Sequence, residues 1–274
     1  MSISYNIFDI AVNPTYYSFE KLKLIVEKAK ELKILPLFIG LDMETNIQVI
    51  HLSKMQQTLC YCGIHPTHIN TLYKENNIWN ILDIVQADLK QLFVENSEYI
   101  IAIGECGLDY YRNQLKIEQQ RIFKMQLELS YLNIPYFLHM RNAFDDFYNI
   151  IKNYTNVTGV IHSFDGTVDQ ALALINLGFY IGINGCSLKN NIDLIKNIPI
   201  DKILVETDSP FCLIRKSYAG AEYGKVLKVK ENEPVYILNL IEIISNIKQM
   251  PIQQLIHQFK LNTIKCFPQL KKFQ

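Results

Sequence analysis

Short apolar runs rich in β-branched and aromatic residues alternate with longer amphipathic segments from the start of the chain to about Pro210. This alternation is typical of successive βα units around a parallel sheet. The apolar runs predict strands at Ile7–Val12, Leu35–Leu41, Leu59–Ile64, Tyr99–Glu105, Tyr136–Met140, Gly159–Ser163, Tyr180–Asn184 and Ile203–Glu206. Apolar residues at three- and four-residue spacing predict helices between them, including Ser18–Leu32, Ile78–Val94, Glu118–Tyr131 and Val168–Leu177.

Eight βα units in 274 residues match the size of an α/β (β/α)8 TIM barrel, whose active site lies at the C-terminal ends of the strands. An open doubly wound sheet is the competing architecture, but no GxGxxG or P-loop follows any predicted strand. No repeat or Pro/Gly-rich linker divides the chain, which predicts a single domain over residues 1–274. We expect Phe211–Glu233 to be a functional loop over the barrel mouth, followed by helices at Val235–Ile247 and Ile252–Phe267.

Composition narrows the class of protein. The chain is 49% hydrophobic and carries 27 basic and 27 acidic residues, so any attraction to a polyanion must be local. No apolar run reaches the roughly 18–20 residues that span a bilayer, and no secretory signal is recognised at the N-terminus. The six cysteines lack CxxC spacing and lie mostly in apolar runs, which favours reduced thiols in a cytoplasmic or nuclear protein. We expect a monomer without a membrane partner.

Polar and ionisable residues lie where the predicted strands end. They are Asp9, Asn13, His65, His68, Glu105, Asp109, His139, Arg141, His162, Asn184, Glu206 and Asp208. In a closed parallel barrel all C-terminal strand ends converge on one rim, so residues that are distant in sequence become neighbours. The sequence therefore predicts one polar site on this rim.

Two carboxylates and two imidazoles of this set suit a divalent cation: Glu105, His139, His162 and Asp208. The carboxylates offset the charge of the cation, and neutral imidazoles provide directional bonds. Such a site hydrolyses bonds by lowering the pKa of bound water to roughly 7. Glu105 and Asp208 are the predicted catalytic residues, with Asp208 accepting the proton of the nucleophile.

These residues also have a structural interpretation. A single His that ends a buried strand is commonly a hydrogen-bonded structural residue, but His139 and His162 on adjacent strands, following Glu105, favour a metal site. Glu105 and Asp208 would otherwise be salt-bridged supports. Asp9 is interpreted as a structural support near the barrel mouth.

The remaining histidines divide into two groups. His65 and His68 flank Pro66, where stabilisation of a turn and contact with a substrate are equally good interpretations. His51 and His257 lie in segments with helical patterns, and we interpret both as surface or packing residues.

The strand-end residues occur in runs that resemble the motifs of the TatD family of deoxyribonucleases, in the order of that family. The runs are Gly63–Pro66, Gly104–Asp109, Leu138–Arg141, Ile161–Phe164, Glu206–Pro210, Asn232–Pro234 and Asn262–Phe267. The resemblance implies a TIM-barrel hydrolase that uses Mg²⁺ or Mn²⁺, with Zn²⁺ as a further candidate, and cleaves DNA, often as a 3′ to 5′ exonuclease. It implies that Glu105, His139, His162 and Asp208 bind metal, with Glu105 able to bridge two ions.

One departure from the family pattern concerns the first strand. Many members have an HxH pair there, whereas this chain has Ala11 and Asn13. Ala11 cannot bind metal, and Asn13 offers a neutral carbonyl oxygen, so one of two metal sites should be weaker and more hydrated. A branch of the family that lacks the pair has a similar pattern, and we therefore expect either one or two ions.

Substrate contacts are expected from local cations and hydrogen-bonding groups around the rim. The predicted substrate-binding residues are His65, His68, Arg141, Asn13 and Asn232. Arg215 and Lys216 either assist them or are solvated loop charges.

Aromatic residues in the loops offer a second kind of contact. Tyr110, Tyr111, Phe164 and Phe211 either stack on unpaired bases or pack as a lid. Asp109 is expected to cap or anchor the loop that contains the two tyrosines.

Two other functions use the same residues. The metal barrel would also serve as an ester or amide hydrolase, such as a D-aminoacyl-tRNA deacylase. Alternatively, loss of the HxH pair would leave a non-catalytic barrel that binds nucleic acid or a partner protein.

Overall fold

A computed structural model describes residues 4–70, 78–190 and 192–274 of the chain. Within these ranges the strands alternate with helices as the sequence predicts. The strands are β1 Ile7–Val12, β2 Ile34–Ile39, β3 Cys60–Cys62, β4 Ile100–Asp109, β5 Tyr136–Arg141, β6 Gly159–Ile161, β7 Tyr180–Ile183 and β8 Ile203–Val205. Every predicted strand is confirmed, although most of them begin or end at a different residue.

The helices confirm the amphipathic pattern. They are α1 Phe19–Glu31, α2 Met43–Gln56, α3 Ile78–Glu95, α4 Lys116–Leu127, α5 Phe144–Ile151, α6 Val168–Asn176, α7 Asp193–Asn197, α8 Ile237–Lys248 and α9 Ile252–Cys266. Hydroxyl side chains cap two of the predicted helices, because the Ser18 side chain accepts from the Lys21 amide and the Thr167 side chain accepts from the Gln170 amide. His51 in α2 and His257 in α9 are exposed, as expected.

The eight strands form one sheet in the order β1 to β8. The strand pairs are parallel, with Ile7 opposite Ile34, Gly107 opposite His139 and Ile183 opposite Val205. Val12 in β1 also forms a parallel bridge with Ser209, which follows β8. The first and last strands are thus linked, and the fold is the predicted (β/α)8 barrel.

The chain divides into two compact units, Met1–Phe38 with His162–Gln274, and Ile39–Ile161. The first unit contains β1, β7 and β8, and the second contains β3 to β6. In the second unit the buried rings of Tyr61 and Phe137 stack with their centroids 4.4 Å apart.

Two strand ends differ from the prediction for identifiable reasons. β2 ends at Ile39 and not at Leu41, because the Leu41 amide donates to the Thr45 side chain at 2.9 Å and so belongs to the start of α2. β4 continues to Asp109 and not to Glu105, because its last residues pair with β5 up to Arg141. The apolar pattern in the sequence ends at Glu105, whereas the pairing of β4 with β5 continues to Asp109.

All six cysteines are free thiols, as predicted. Four of them are buried, and Cys186 and Cys212 are partly exposed. Among the described residues, no helix combines the length and the apolar character that a membrane span requires.

The segment Phe211–Glu233 contains a short 3-10 helix at Ala219–Tyr223. Its two ends are held together, because the Asn232 amide nitrogen donates to the Pro210 carbonyl at 3.1 Å. The Asn232 side chain donates to the carbonyls of Thr207 and Phe211, each at 2.8 Å. Asn232, predicted to bind substrate, thus closes the base of this loop in the structure.

The attachment of α9 to β8 gives a test of the fold. The buried Asn262 side chain donates to the carbonyls of Ile200 and Ile203 at 2.9 and 2.8 Å. We predict that Asn262→Ala lowers the free energy of unfolding by about 1–3 kcal/mol, since both carbonyls lose a buried donor. Thermal unfolding followed by circular dichroism measures the effect. Gln254→Ala, at an exposed position of the same helix, is the control and should leave the midpoint unchanged.

Candidate metal centre

Two glycines allow β4 to lie close against β5 around Glu105. Gly104 and Gly107 have φ values of 150° and 147°, a region that disfavours side chains. A Cβ at Gly104 would lie 2.1 Å from the Phe137 carbonyl oxygen, and a Cβ at Gly107 would lie 1.9 Å from that of His139. The strand register shifts between Ile103 and Cys106. Glu105 therefore projects from an irregular part of β4 that only glycine permits.

Glu105 lies at the centre of a buried cluster with two histidines. Its Oε1 atom is 2.8 Å from His139 Nδ1 and 3.2 Å from His65 Nε2. The ring centroids of His65 and His139 are 4.6 Å apart. One potential ligand atom from each of the three residues lies within 4.8 Å of the others. The structure thus brings together the predicted ligands Glu105 and His139 and adds His65, which the sequence indicated only as a turn or substrate residue.

A second carboxylate contacts the other side of the His139 ring. Asp109 Oδ2 is 3.2 Å from His139 Nε2, so both ring nitrogens face carboxylate oxygens. Burial is the largest single influence and raises the pKa of Asp109, but the hydrogen bond and charge interaction with His139, together with the Arg112 amide and His65, bring the pKa down to about 2. Because carboxylates only accept, a neutral His139 ring satisfies both sides if Nε2–H donates to Asp109 and a cation lies at Nδ1.

Asp109 also anchors its loop, as predicted. Its Oδ1 atom accepts from the backbone amides of Tyr111 and Arg112 at 3.0 and 2.7 Å. One oxygen therefore fixes the loop and the other faces His139. The sequence predicted the first role and missed the second.

The environment of His65 keeps its ring neutral. Burial lowers the pKa of His65 to about 4, although Glu105 opposes this shift. The Thr67 amide donates to His65 Nδ1 at 3.1 Å, and the Thr67 hydroxyl lies 2.6 Å from the same atom. Thr67 can thus support either tautomer. With Nδ1 as acceptor, Nε2–H donates to Glu105, and with Nδ1–H donating to the hydroxyl, Nε2 can bind a cation.

Two other predicted substrate-binding residues of this unit are His68 and Arg141. His68 contacts Asp42, and Arg141 contacts Tyr111. His68 Nδ1 is 2.7 Å from Asp42 Oδ2, and this hydrogen bond holds the pKa of Asp42 well below its usual range. The Arg141 guanidinium lies 4.3 Å from the centre of the exposed Tyr111 ring. Both side chains are partly exposed.

In the first unit His162 has a carboxylate neighbour as well. His162 Nδ1 is 3.4 Å from Glu206 Oε1, and both side chains are buried. The same oxygen accepts from the Ser163 amide at 2.6 Å and from the Asn184 side chain at 3.2 Å. Glu206 is therefore fixed beside His162, as Asp109 is beside His139. In the sequence, Glu206 was indicated only by its place at the end of a predicted strand, two residues before Asp208.

Asp208 is half-buried and held by donors on both oxygens. Asn13 Nδ2 donates to Oδ1 at 2.9 Å, and the Cys212 thiol lies 3.2 Å from Oδ2. Asn13 is thus a partner of the predicted ligand Asp208.

Asp9 is a structural support, as predicted, and it binds Thr207, the residue before Asp208. Asp9 is fully buried and accepts from the Thr207 amide at 2.8 Å and from the Thr207 hydroxyl at 2.5 Å. Burial raises the pKa of Asp9 to about 8, in opposition to these hydrogen bonds. The contact attaches the end of β1 to the residue next to Asp208.

The aromatic residues of the loops have different environments. Phe164 is fully buried, so no face of its ring can stack on a base, and of the two alternatives only packing remains for this residue. The Tyr110 hydroxyl donates to Asp146 at 2.7 Å. Tyr111 and Phe211 are exposed, as are Arg215 and Lys216.

The donor set fits a divalent cation. Glu105, His139 and His65 provide one carboxylate and two imidazoles in a buried cluster, and such mixed oxygen and nitrogen sites suit Mn²⁺, Zn²⁺ and related ions. Two acidic groups, Glu105 and Asp109, face one imidazole, so the cluster carries excess negative charge. A bound cation would offset that charge.

The chain is similar to known proteins over nearly its whole length. The model of the family described as TatD related DNase matches residues 8–268. A protein of Enterocytozoon bieneusi named as a TATDN1 homolog is 99% identical over 274 residues, with 100% of both chains covered. The 3′-5′ ssDNA/RNA exonuclease TatD of Erwinia billingiae is 32% identical over 273 residues, covering 95% of this chain and 98% of its own. The crystal structure of a TatD family hydrolase from Entamoeba histolytica matches with a TM-score of 0.85 at 27% identity, covering 97% of this chain and 99% of that one.

The contact between Asp109 and His139 gives a test of the metal centre. We predict that Asp109→Asn lowers the affinity for Mn²⁺ about 10–100-fold, because the amide no longer holds His139 with a charged acceptor. The Asn oxygen can still accept from the loop amides. Isothermal titration calorimetry measures the affinity, and Asp146→Asn, which alters an exposed carboxylate that accepts from Tyr110, is the control. Equal Mn²⁺ affinity in both variants would contradict the assigned role.

Proposed function

Because the chain belongs to the TatD family of deoxyribonucleases, we propose that it is a metal-dependent phosphodiesterase that hydrolyses DNA. The name of the Erwinia relative describes that protein as a 3′-5′ exonuclease of single strands. On this basis we assign the same direction of digestion and a preference for single strands or chain ends to this chain.

One observation supports this proposal above the others. His139 lies between Glu105 and Asp109 in a buried cluster, and these two acidic residues begin and end the run Glu105–Asp109 that resembles a family motif. A carboxylate behind a ligating histidine is the usual arrangement in metal sites. A purely structural histidine would not need two buried carboxylates.

We propose Glu105, His139, His162 and Asp208 as the ligands and Mg²⁺ or Mn²⁺ as the ion. Glu105 lies within β4 and His139 within β5, His162 directly follows β6, and Asp208 follows β8 in the segment that begins with Glu206. Carboxylates dominate the first coordination sphere of both ions, and imidazole is better suited to Mn²⁺. His65 is a further ligand or a donor to Glu105, according to its tautomer.

A divalent cation held by these residues would stabilise the negative charge that develops on the attacking water and on the phosphate. Asp208 accepts the proton of the water as the water oxygen attacks phosphorus, and the P–O bond to the sugar oxygen of the leaving strand breaks. Asn13 and Cys212 hold the Asp208 carboxylate in position for this step. The leaving oxygen takes a proton from solvent.

We assign His68 and Arg141 to the phosphate oxygens of the substrate. Both are partly exposed cationic or hydrogen-bonding groups of the unit that contains Glu105. Arg141 presents a planar donor array that matches phosphate geometry. Asn13 and Asn232 contribute by holding Asp208 and the base of the loop.

Replacement of Glu105 tests the catalytic assignment. We predict that Glu105→Gln lowers the rate of DNA hydrolysis by several orders of magnitude, because the amide keeps the shape and loses the charge that binds the cation. Release of nucleotides from a 5′-labelled single strand measures the rate. Glu95→Gln, at the exposed end of α3, should keep full activity. Unchanged hydrolysis in Glu105→Gln would refute the assignment.

Metal removal separates the nuclease from a non-catalytic barrel. We predict that EDTA abolishes hydrolysis and that added Mn²⁺ or Mg²⁺ restores it, since the acidic cluster requires a cation for activity. Calorimetry with Mn²⁺ should show binding to the wild type and a weaker signal for Asp208→Asn. Absence of both binding and hydrolysis at saturating Mn²⁺ would support a non-catalytic barrel.

A further inference from the structure

Two exposed aromatic rings stand together beside Asp208, outside the metal cluster. Tyr16 and Phe211 are 55% and 44% exposed. Their ring centroids are 4.9 Å apart at an interplanar angle of 80°, an edge-to-face contact. The two rings contact each other and still leave about half of each residue open to solvent.

The backbone holds both rings next to the predicted catalytic carboxylate. Tyr16 ends the short 3-10 helix Pro14–Tyr16, which begins directly after Asn13. The Asn13 side chain donates to Asp208 Oδ1 at 2.9 Å, and the Phe211 amide donates to the Asp208 carbonyl at 2.9 Å. Phe211 is therefore hydrogen-bonded directly to Asp208, and the Tyr16 amide donates to the carbonyl of Asn13, whose side chain donates to Asp208.

The position of Phe211 is fixed further by the loop base. The Phe211 carbonyl accepts from the Asn232 side chain at 2.8 Å, and the Asn13 amide donates to the Ser209 carbonyl at 2.9 Å. A ring on a backbone held in this way loses little conformational entropy when it binds a ligand.

The charges of the loop favour a polyanion. Its five basic residues are all exposed: Arg215, Lys216, Lys225, Lys228 and Lys230. Of its three acidic residues, Glu231 pairs with Lys21, and Glu233 pairs with Lys28 at 2.8 Å. The loop is thus locally positive, although the whole chain has zero net charge.

We propose that Tyr16 and Phe211 form a stacking platform for an unpaired nucleobase of the substrate strand, beside the phosphate that is cleaved. This inference rests on the proposed nuclease function. Aromatic rings stack on any base, so the platform binds without sequence preference. A base within a duplex is paired and stacked on its neighbours, and only a single strand or an unpaired end can offer a free face. The platform therefore selects single-stranded ends.

The exposure of the rings favours this interpretation over lid packing. A ring used for packing buries its faces, as Phe164 does in the same unit. A site for a partner protein would call for a larger apolar patch. The exposed basic residues of the loop that begins with Phe211 instead match the phosphates that accompany a base.

A thermodynamic cycle between ring and base tests the proposal. Tyr16→Ala and Phe211→Ala are made in the inactive Glu105→Gln background, with Tyr131→Ala as the control at an equally exposed tyrosine, 55%, outside this pair. The probes are fluorescein-labelled single-stranded oligonucleotides, either intact or abasic at one of the three nucleotides nearest the 3′ end. Fluorescence anisotropy gives each Kd.

We expect each platform variant to weaken binding of the intact strand about tenfold. One abasic probe should show almost no further loss, because its missing base is the one that stacks. Tyr16→Phe should retain the affinity of the background, and Tyr131→Ala should match it. Circular dichroism of each variant confirms that the fold is kept.

Two results would overturn the proposal. Equal weakening of the intact strand and of all three abasic strands would assign the rings a structural role. Unchanged affinity for the intact strand would remove the platform while leaving the nuclease function in place, provided that the wild type cleaves the strand. If the wild type neither binds nor cleaves it, the nuclease proposal fails as well, and parallel hydrolysis assays distinguish the two failures.

Discussion

The buried imidazole of His139, held between Glu105 and Asp109, is the constraint on which the candidate site depends. Two buried carboxylates and one ring leave an excess of negative charge, and burial of an unbalanced charge is strongly unfavourable. Protonation of the ring would offset one charge, and a divalent cation would offset both and leave the ring neutral. The cluster is therefore arranged for an ion that carries more charge than a proton.

Buried carboxylates hold a neighbouring residue in place at other strand ends as well. Glu206 lies beside His162, and Asp9 accepts two hydrogen bonds from Thr207, next to Asp208. The balance of forces differs between them. At Asp109 the interactions with His139, His65 and the Arg112 amide together outweigh burial and lower the pKa, whereas at Asp9 burial dominates and raises the pKa to about 8. Asp109 thus provides charge, and Asp9 provides rigid support.

The sequence predicted the strands because buried parallel strands are continuous apolar runs, and it predicted the strand-end residues because each run stops at a polar group. It missed the extension of β4 to Asp109, since Gly104 and Gly107 interrupt the apolar pattern where the backbone must approach β5. It also missed the roles of Asp109 and Glu206 beside the histidines. A strand pattern identifies which residues reach the rim, but the direction of each ring nitrogen depends on packing between strands.

Asn13 determines what the segment after β1 contributes to the site. A histidine at position 13 would offer a lone pair to a cation, whereas the Asn13 amide donates to Asp208 Oδ1 at 2.9 Å. A donor on that oxygen stabilises the carboxylate and orients it, and it withdraws one lone pair from metal binding. The segment after β1 then continues into Tyr16, whose ring contacts Phe211. In this chain the segment after β1 thus orients a carboxylate through Asn13 and presents an aromatic surface through Tyr16.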